Sequence, residues 1–167
     1  MKKVVVFGGS GFIGSHTADI LTKKGYLVTI FDIKPSQYIS PNQEMVIGDI
    51  LNRNQVEQAT EGVDFVYNFS GIANIDKCFE DHRAAVDYNI IGNLNILDAC
   101  VKNKIRKFIF ASSAYVYSDS GSLYRITKHS SEMLIEAYKE KFGLNYVIMR
   151  YGSLYGDRVG KENSIYN

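Results

Sequence analysis

The stretch Val4-Val5-Val6-Phe7-Gly8-Gly9-Ser10-Gly11-Phe12-Ile13-Gly14 decides how this chain is read. Four apolar residues in a row fit a buried strand. Gly8, Gly11 and Gly14 follow at once, and a helical pattern runs from Ser15 to Lys24. In a strand, turn and helix of this kind the first glycine permits a sharp turn. The second lets backbone approach a pyrophosphate, and the third lets helix and strand pack closely. The free N–H groups at the start of the helix then face the phosphates. Asp32 ends the next apolar run about twenty residues further on, where an acceptor for a ribose 2′-hydroxyl belongs. A glycine turn that merely joins two buried elements has no need of that acid. A nucleoside-triphosphate loop is a closer rival, because Gly9 and Gly14 have its spacing. Ser15-His16 stand where such a loop requires Lys and then Ser or Thr.

Length and composition narrow the field further. At 167 residues the chain fits one domain, residues 1–167, able to bury roughly two thirds of its unfolded surface. Net charge is +1 with acids and bases mixed throughout. That leaves no basic footprint for nucleic acid and no polybasic patch for a membrane surface. No apolar stretch approaches the length of a membrane span. Met1-Lys2-Lys3 opens like a signal peptide, but glycines interrupt the apolar run that follows. Cys78 and Cys100 have no Cys-x-x-Cys spacing, and His16, His82 and His129 are scattered. No metal site is therefore expected, and free thiols suit the cytoplasm. The expected partner is a small molecule.

Taken in order, the glycine turn leads into a helix that Gly25 is placed to end, and Tyr26 to Phe31 forms a second strand. Lys34-Pro35-Ser36 and Ser40-Pro41-Asn42 are turn chemistry. Met45 to Ile47 is a short third strand ending at Gly48-Asp49-Ile50, and Asn52 to Glu61 a short helix with Val56 and Ala59 inward. Val63 to Phe69 is the fourth strand, closed by Ser70-Gly71. One long helix is expected from about Asp76 to Asn103, with Val86, Ile90, Leu94, Leu97 and Val101 as its repeating apolar stripe and Gly92 weakening it slightly. Phe108 to Ala111 is the fifth strand, Leu123 to Phe142 a helix stopped by Gly143, and Tyr146 to Met149 the sixth strand. This alternation predicts an α/β fold: a doubly wound parallel sheet of about six strands with helices on both faces. In such sheets ligands lie beyond the carboxyl ends of the strands. Gly8 to Gly14, Asp32, Asp49, Phe69 to Ala73 and Ser112-Ser113 are thus the candidate site residues.

Tyr124 and Lys128 stand four apart and share a helix face. With 12 Tyr and 13 Lys in 167 residues, about one such pair arises by chance, so spacing alone decides nothing. Position does, because the pair opens the helix that follows Ser112-Ser113 at the end of the fifth strand. Serine, tyrosine and lysine can then converge on one cofactor edge, as a hydride-transfer site requires. A tyrosine titrates near ~10, and drawing it to neutrality takes ~3 units, or about 4 kcal/mol. One ammonium at ~4 Å in an effective dielectric of ~20 supplies about that much.

With these residues in place, the chain resembles the extended short-chain dehydrogenases/reductases, in their nucleotide-sugar epimerase/dehydratase branch. The resemblance covers nearly the whole sequence. It rests on Gly8-x-x-Gly11-x-x-Gly14, Asp32, Gly48-Asp49-Ile50, Asn68-Phe69-Ser70-Gly71 and Tyr88-Asn89-Ile90-Ile91-Gly92. It rests equally on Ser112-Ser113-Ala114-Tyr115-Val116-Tyr117, Tyr124-x-x-x-Lys128 and Arg150-Tyr151-Gly152-Ser153-Leu154-Tyr155-Gly156. The resemblance implies a Rossmann-type fold with NAD as cofactor, a nucleotide-sugar substrate and UDP-sugar 4-epimerase chemistry. In that reading Gly8, Gly11, Phe12, Ile13 and Gly14 cradle the pyrophosphate. Asp49 and Ile50 hold the adenine; the lesser reading of Asp49 is a cap on the helix that starts near Asn52. Phe69, Ser70 and Gly71 line the cofactor, and Asn89 touches it. Ser113 bonds the substrate oxygen, and Tyr124 is the base and acid. Lys128 holds the nicotinamide ribose and lowers the Tyr124 pKa. The family also implies a homodimer through the helices at Asp76–Asn103 and Leu123–Phe142, with Ile96, Met133 or Tyr138 exposed on an isolated chain.

Three departures bear on the substrate. Ser113 and Tyr124 are closer in sequence than in most family members, which carry a longer Pro-containing loop there. Ala114-Tyr115 stand where 4,6-dehydratases resemble one another in an Asp-Glu pair, favouring an epimerase or a ketoreductase. Family members continue for roughly as long again, so the lobe that builds most of the sugar site is expected to be absent from these 167 residues. A non-catalytic NAD(H)-binding module is the main alternative, needing the glycine turn and Asp32 but not the set Ser113, Tyr124 and Lys128.

Overall fold

The structure, a computed structural model, describes residues 1–159. Six strands form one sheet in the order β3-β2-β1-β4-β5-β6: β1 Lys3–Phe7, β2 Leu27–Asp32, β3 Gln43–Ile47, β4 Phe65–Asn68, β5 Lys107–Ser113 and β6 Tyr146–Tyr151. Every neighbouring pair is parallel, with Phe7 beside Phe31 on one side and Asn68 on the other. Alternate residues of β1 serve two cores. Val5 and Phe7 pack with Phe31, Val66, Phe108 and Phe110 under α2 (Arg53–Ala59), α5 (Gly92–Lys102) and α6 (Ser122–Phe142). Val4 and Val6 pack with Val28 and Ile30 under Ala18 and Leu21 of α1 (Phe12–Lys23). Burial on both faces explains why these strands are continuous apolar runs instead of alternating ones. The strand order reverses beside β1, so the ends of β1, β2 and β4 open a crevice.

Local signals place most boundaries. Gly25 and Gly143 adopt the left-handed backbone just after α1 and α6, as helix-terminating glycines do. The Asn52 side chain accepts from the N–H groups of Asn54 and Gln55 and caps α2, so the capping role weighed for Asp49 belongs to Asn52.

The continuous helix expected from Asp76 to Asn103 is not found. The chain forms α3 (Ile75–Glu80), breaks at Asp81, re-enters as α4 (His82–Val86), widens into a π turn (Asp87–Ile91), and only then runs as α5. Asp81 causes the break: its backbone leaves the helical region, and its side chain accepts from the Ala84 N–H to start a new helix. The buried stripe differs accordingly. Ala85, Asn89, Gly92, Ile96, Leu97 and Cys100 face inward, whereas Val86 is exposed and Ile90, Leu94 and Val101 are only half covered. Ile96 is fully buried and Tyr138 packs against the core, so of the three residues expected on a free helical face only Met133, at 59 % exposure, lies there.

Candidate active site

The floor of the crevice is built by glycines that exclude side chains. A Cβ on Gly14 would stand 2.2 Å from the Gly8 carbonyl oxygen, and one on Gly8 would stand 2.6 Å from the Phe69 carbonyl carbon and the Ser70 nitrogen. Gly8 also has φ +72°, in the region where L side chains are strained. The result is a bare backbone cradle at the start of α1, whose first N–H groups have no intrahelical acceptor and whose first turn carries no acid. Both features suit a diphosphate.

Two clefts meet at this cradle, sharing Gly8, Gly11, Phe69 and Gly71. The first, about 310 Å³, is lined by Asp32, Ile33, Gly48, Ile50, Ser70 and Tyr88. Asp32 is held at its mouth by the backbone N–H groups of Ser10 (3.1 Å) and Lys34 (3.2 Å). Ile50 lies against Gly92, where any Cβ would approach Ile50 Cδ1 to 2.4 Å. That close approach explains a glycine at the start of a helix. Asp49 does not line this cleft. Its carboxylate accepts from the Leu51 N–H at 2.9 Å and from the Tyr88 hydroxyl at 3.3 Å, so the wall is Tyr88, with Asp49 behind it. Burial first, then the adjacent Asp49, raises the Tyr88 phenol and keeps it a hydrogen-bond donor.

The second cleft, about 670 Å³, is lined by Phe12, Ile13, Gly14, Ser112, Ser113, Tyr115, Tyr124, Lys128 and Leu154 among others. Ser113 and Tyr124 line this cleft together, and the Ser113 Oγ accepts from the Tyr115 N–H at 3.3 Å. Lys128 Nζ donates to the Ala111 carbonyl at 2.9 Å and lies 4.8 Å from the Phe110 ring centre. Burial pulls the Lys128 ammonium down to about 8, against smaller opposing pulls from Cys78 and Glu132. It keeps its proton at pH 7. The lowering of Tyr124 expected from Lys128 is not found. The ammonium stands 5.9 Å from the phenol ring centre, turned onto the Ala111 carbonyl. Burial instead lifts the Tyr124 pKa, opposed by the neighbouring Ser113 hydroxyl.

Asn89 is not arranged to touch a ligand. Its Oδ1 accepts from the Ile72 N–H at 2.7 Å, and its Nδ2 donates to the Ile72 carbonyl and the Thr127 hydroxyl, both at 3.0 Å. Both amide hydrogens are used, and the side chain lines neither cleft. Asn89 fixes the segment after Gly71, whose own Cβ would meet Asn89 Oδ1 at 2.5 Å. The π turn places it there, and the Asn89 carbonyl accepts from Ser131 Oγ at 2.7 Å. Tyr88, Ile33, Tyr115 and Leu154 were missed from sequence. Tyr88, Tyr115 and Leu154 carried a signal, since each lies in one of the motifs quoted above, whereas Ile33 carried none.

Comparison with known proteins agrees with this geometry. The model of the NAD dependent epimerase/dehydratase family matches residues 4–166. This chain belongs to that family. A UDP-N-acetyl-alpha-D-glucosaminuronate decarboxylase of Bacillus cytotoxicus is 32 % identical over 95 % of the chain and 56 % of its own length. A Thermus thermophilus UDP-glucose 4-epimerase solved with NAD superposes with a TM-score of 0.91 at 26 % identity, over 98 % of this chain and 59 % of that one. A Bacillus cereus UDP-glucuronic acid 4-epimerase, solved with UDP-glucuronic acid and NAD, gives 0.89 at 28 % identity, over 98 % and 60 %. The chain thus spans somewhat over half the length of these family members. No helix among the described residues is long and apolar enough to cross a membrane.

Proposed function

We propose that residues 1–167 form the NAD-binding domain of a nucleotide-sugar 4-epimerase and carry its proton-transfer residues. The observation that bears most weight is the meeting of Ser113, Tyr124 and Lys128 in one cleft that adjoins the side-chain-free cradle of Gly8 and Gly14. NAD bound in the paired clefts supplies the acceptor that takes a hydride from a sugar carbon and returns it. The protein's part is placement and proton movement. The backbone N–H groups at the start of α1 bind the diphosphate, Asp32 accepts from the adenosine ribose hydroxyls, and Tyr88 and Ile50 flank the adenine. Lys128 donates to the second ribose. Ser113 would hold the sugar oxygen while Tyr124, as the phenolate, would take the sugar hydroxyl's proton on Oη and, as the phenol, later give it back, with the positive charges of bound NAD and Lys128 favouring the phenolate that burial alone disfavours. The two free buried thiols, Cys78 and Cys100, fit the reducing environment of a cytosolic enzyme.

The test is a fluorescence titration of the 167-residue chain with NADH and NADPH. NADH is expected to bind at least about tenfold more tightly, because the Asp32 carboxylate repels a 2′-phosphate, and Asp32→Ser is expected to narrow that gap. Equal or tighter NADPH binding overturns the assignment of Asp32, and no binding of either overturns the site.

The same reading includes a second copy of the chain. Phe79, Val86 and Ile91 on the α3–π segment and Ile126 and Met133 on α6 are large, apolar and exposed, and exposed apolar side chains on neighbouring helices favour a contact. Light scattering at high concentration is expected to give the mass of a dimer, and a monomer's mass counts against it.

A further inference from the structure

A buried carboxylate on the helix that carries Lys128 is taken up by another residue. Glu132 lies one turn beyond Lys128 on α6, and its side chain is 4 % exposed. Both its oxygens accept from Arg150 of β6: Oε1 from Nε at 3.0 Å and Oε2 from Nη2 at 2.7 Å. Arg150 pairs in register with Ser112, next to Ser113. Its guanidinium stacks 4.5 Å from the Tyr117 ring centre and donates to the Tyr117 hydroxyl, at the end of the 3₁₀ turn Ala114–Tyr117 that follows Ser113. Tyr115 of that turn meets the Tyr124 ring edge-on at 6.4 Å.

We propose that Arg150 and Glu132 are positioning residues: by claiming both oxygens of Glu132, Arg150 leaves Lys128 on the Ala111 carbonyl and able to donate into the cleft. The reason is a competition. A buried carboxylate without its partner seeks the nearest cation, and a Lys and a Glu four apart on a helix reach each other readily. Without Arg150, Glu132 would draw the ammonium back along α6, away from the cleft. The same guanidinium anchors the turn beside Ser113, so one side chain sets both edges of the reaction cleft. The other groups facing Lys128 are the Cys78 thiol from α3, Tyr124 from its own helix, and the Phe110 ring and Ala111 carbonyl from β5. None of these is an anion at pH 7, which leaves Glu132 as the group whose pairing decides the outcome.

The inference rests on the role given to Lys128 above, and its test reads that residue directly. The 167-residue chain is labelled with 13C at lysine Cε, the Lys128 signal is assigned by its loss in Lys128→Arg, and its titration is followed by NMR. The wild type is expected to titrate near 8. Arg150→Met is expected to move the midpoint up by about one unit, as an unpaired carboxylate favours the ammonium, and to weaken NADH binding at least about fivefold. The double variant Glu132→Gln/Arg150→Met buries no unpaired charge; it is expected to return the midpoint to the wild-type value or below and NADH affinity to within about threefold. If Arg150→Met does not fold, Glu132→Gln alone is expected to lower the midpoint by about half a unit. An unchanged Lys128 midpoint in the charge variants overturns the proposal while leaving NAD binding intact. A shifted midpoint with no NADH binding in the wild type sustains the pair and overturns the cofactor reading.

Discussion

Gly14→Ala is expected to abolish dinucleotide binding and to cost about 3 kcal/mol of stability, or roughly 6–12 °C in melting temperature for a chain of this size. The added methyl would lie 2.2 Å from the Gly8 carbonyl oxygen and 2.8 Å from Gly9 Cα. Both are backbone atoms, so no rotamer change relieves the overlap. Either α1 lifts from β1 or the turn opens, and in both cases the N–H groups that would meet the diphosphate lose their aim. Gly25→Ala is the control. Gly25 has φ +83°, but nothing lies within 4 Å of the place a methyl would take, so only backbone strain of about 1 kcal/mol is expected, with NADH affinity unchanged. Thermal melts and NADH titrations of both variants separate the two effects. Near-normal NADH affinity in Gly14→Ala would contradict the cradle assignment.

Tyr124→Phe is expected to lower turnover of a UDP-sugar by about 10²–10⁴-fold, the usual range for a lost acid–base group, when measured in a form extended to the length of the relatives. NADH binding should survive, because the ring stays and only the hydroxyl is lost. The pH dependence has a defined sign. Lys128 keeps its charge below about 8 and loses it as pH rises through that value, so wild-type turnover is expected to fall on the alkaline side. A coupled 4-epimerase assay across pH 6–10, with a parallel NADH titration, checks both statements. Undiminished turnover by Tyr124→Phe would remove Tyr124 from the chemistry. For the 167-residue chain alone, binding without appreciable turnover is expected, since placing the sugar against the nicotinamide is worth ~7–11 kcal/mol of a barrier.

What could be read in the sequence was whatever one local feature determines. The central strand β1 is a continuous apolar run because both its faces are covered, and the glycine turn is legible because its backbone geometry excludes other residues. The stretch from residue 75 to 102 was misread for a matching reason. Apolar periodicity cannot register a side chain such as Asp81, which ends one helix by capping the next. Nor can it register the extra residue of a π turn, so counting by threes and fours from Val86 selects a half-exposed stripe. At the site, motifs singled out Asp49 and Asn89 but not what their side chains do, which depends on partners distant in sequence: Tyr88 for one, Ile72 and Thr127 for the other. The Tyr124 pKa was misjudged because spacing along a helix says nothing about which carbonyl an ammonium has already found.

The π turn at Asp87–Ile91 also acts as a phase shifter. One residue beyond the α-helical count adds about 1.5 Å of rise and roughly 100° of rotation. Upstream of it, Cys78 and Ala85 turn toward Tyr124. Downstream, Ile96, Leu97 and Cys100 turn toward the sheet. A uniform helix presents one inward direction along its whole length and could satisfy only one of these neighbours. The inserted residue works like an offset in a crankshaft, letting a single run of chain seat α5 on the strands while its earlier turns brace the helix that carries Tyr124 and Lys128.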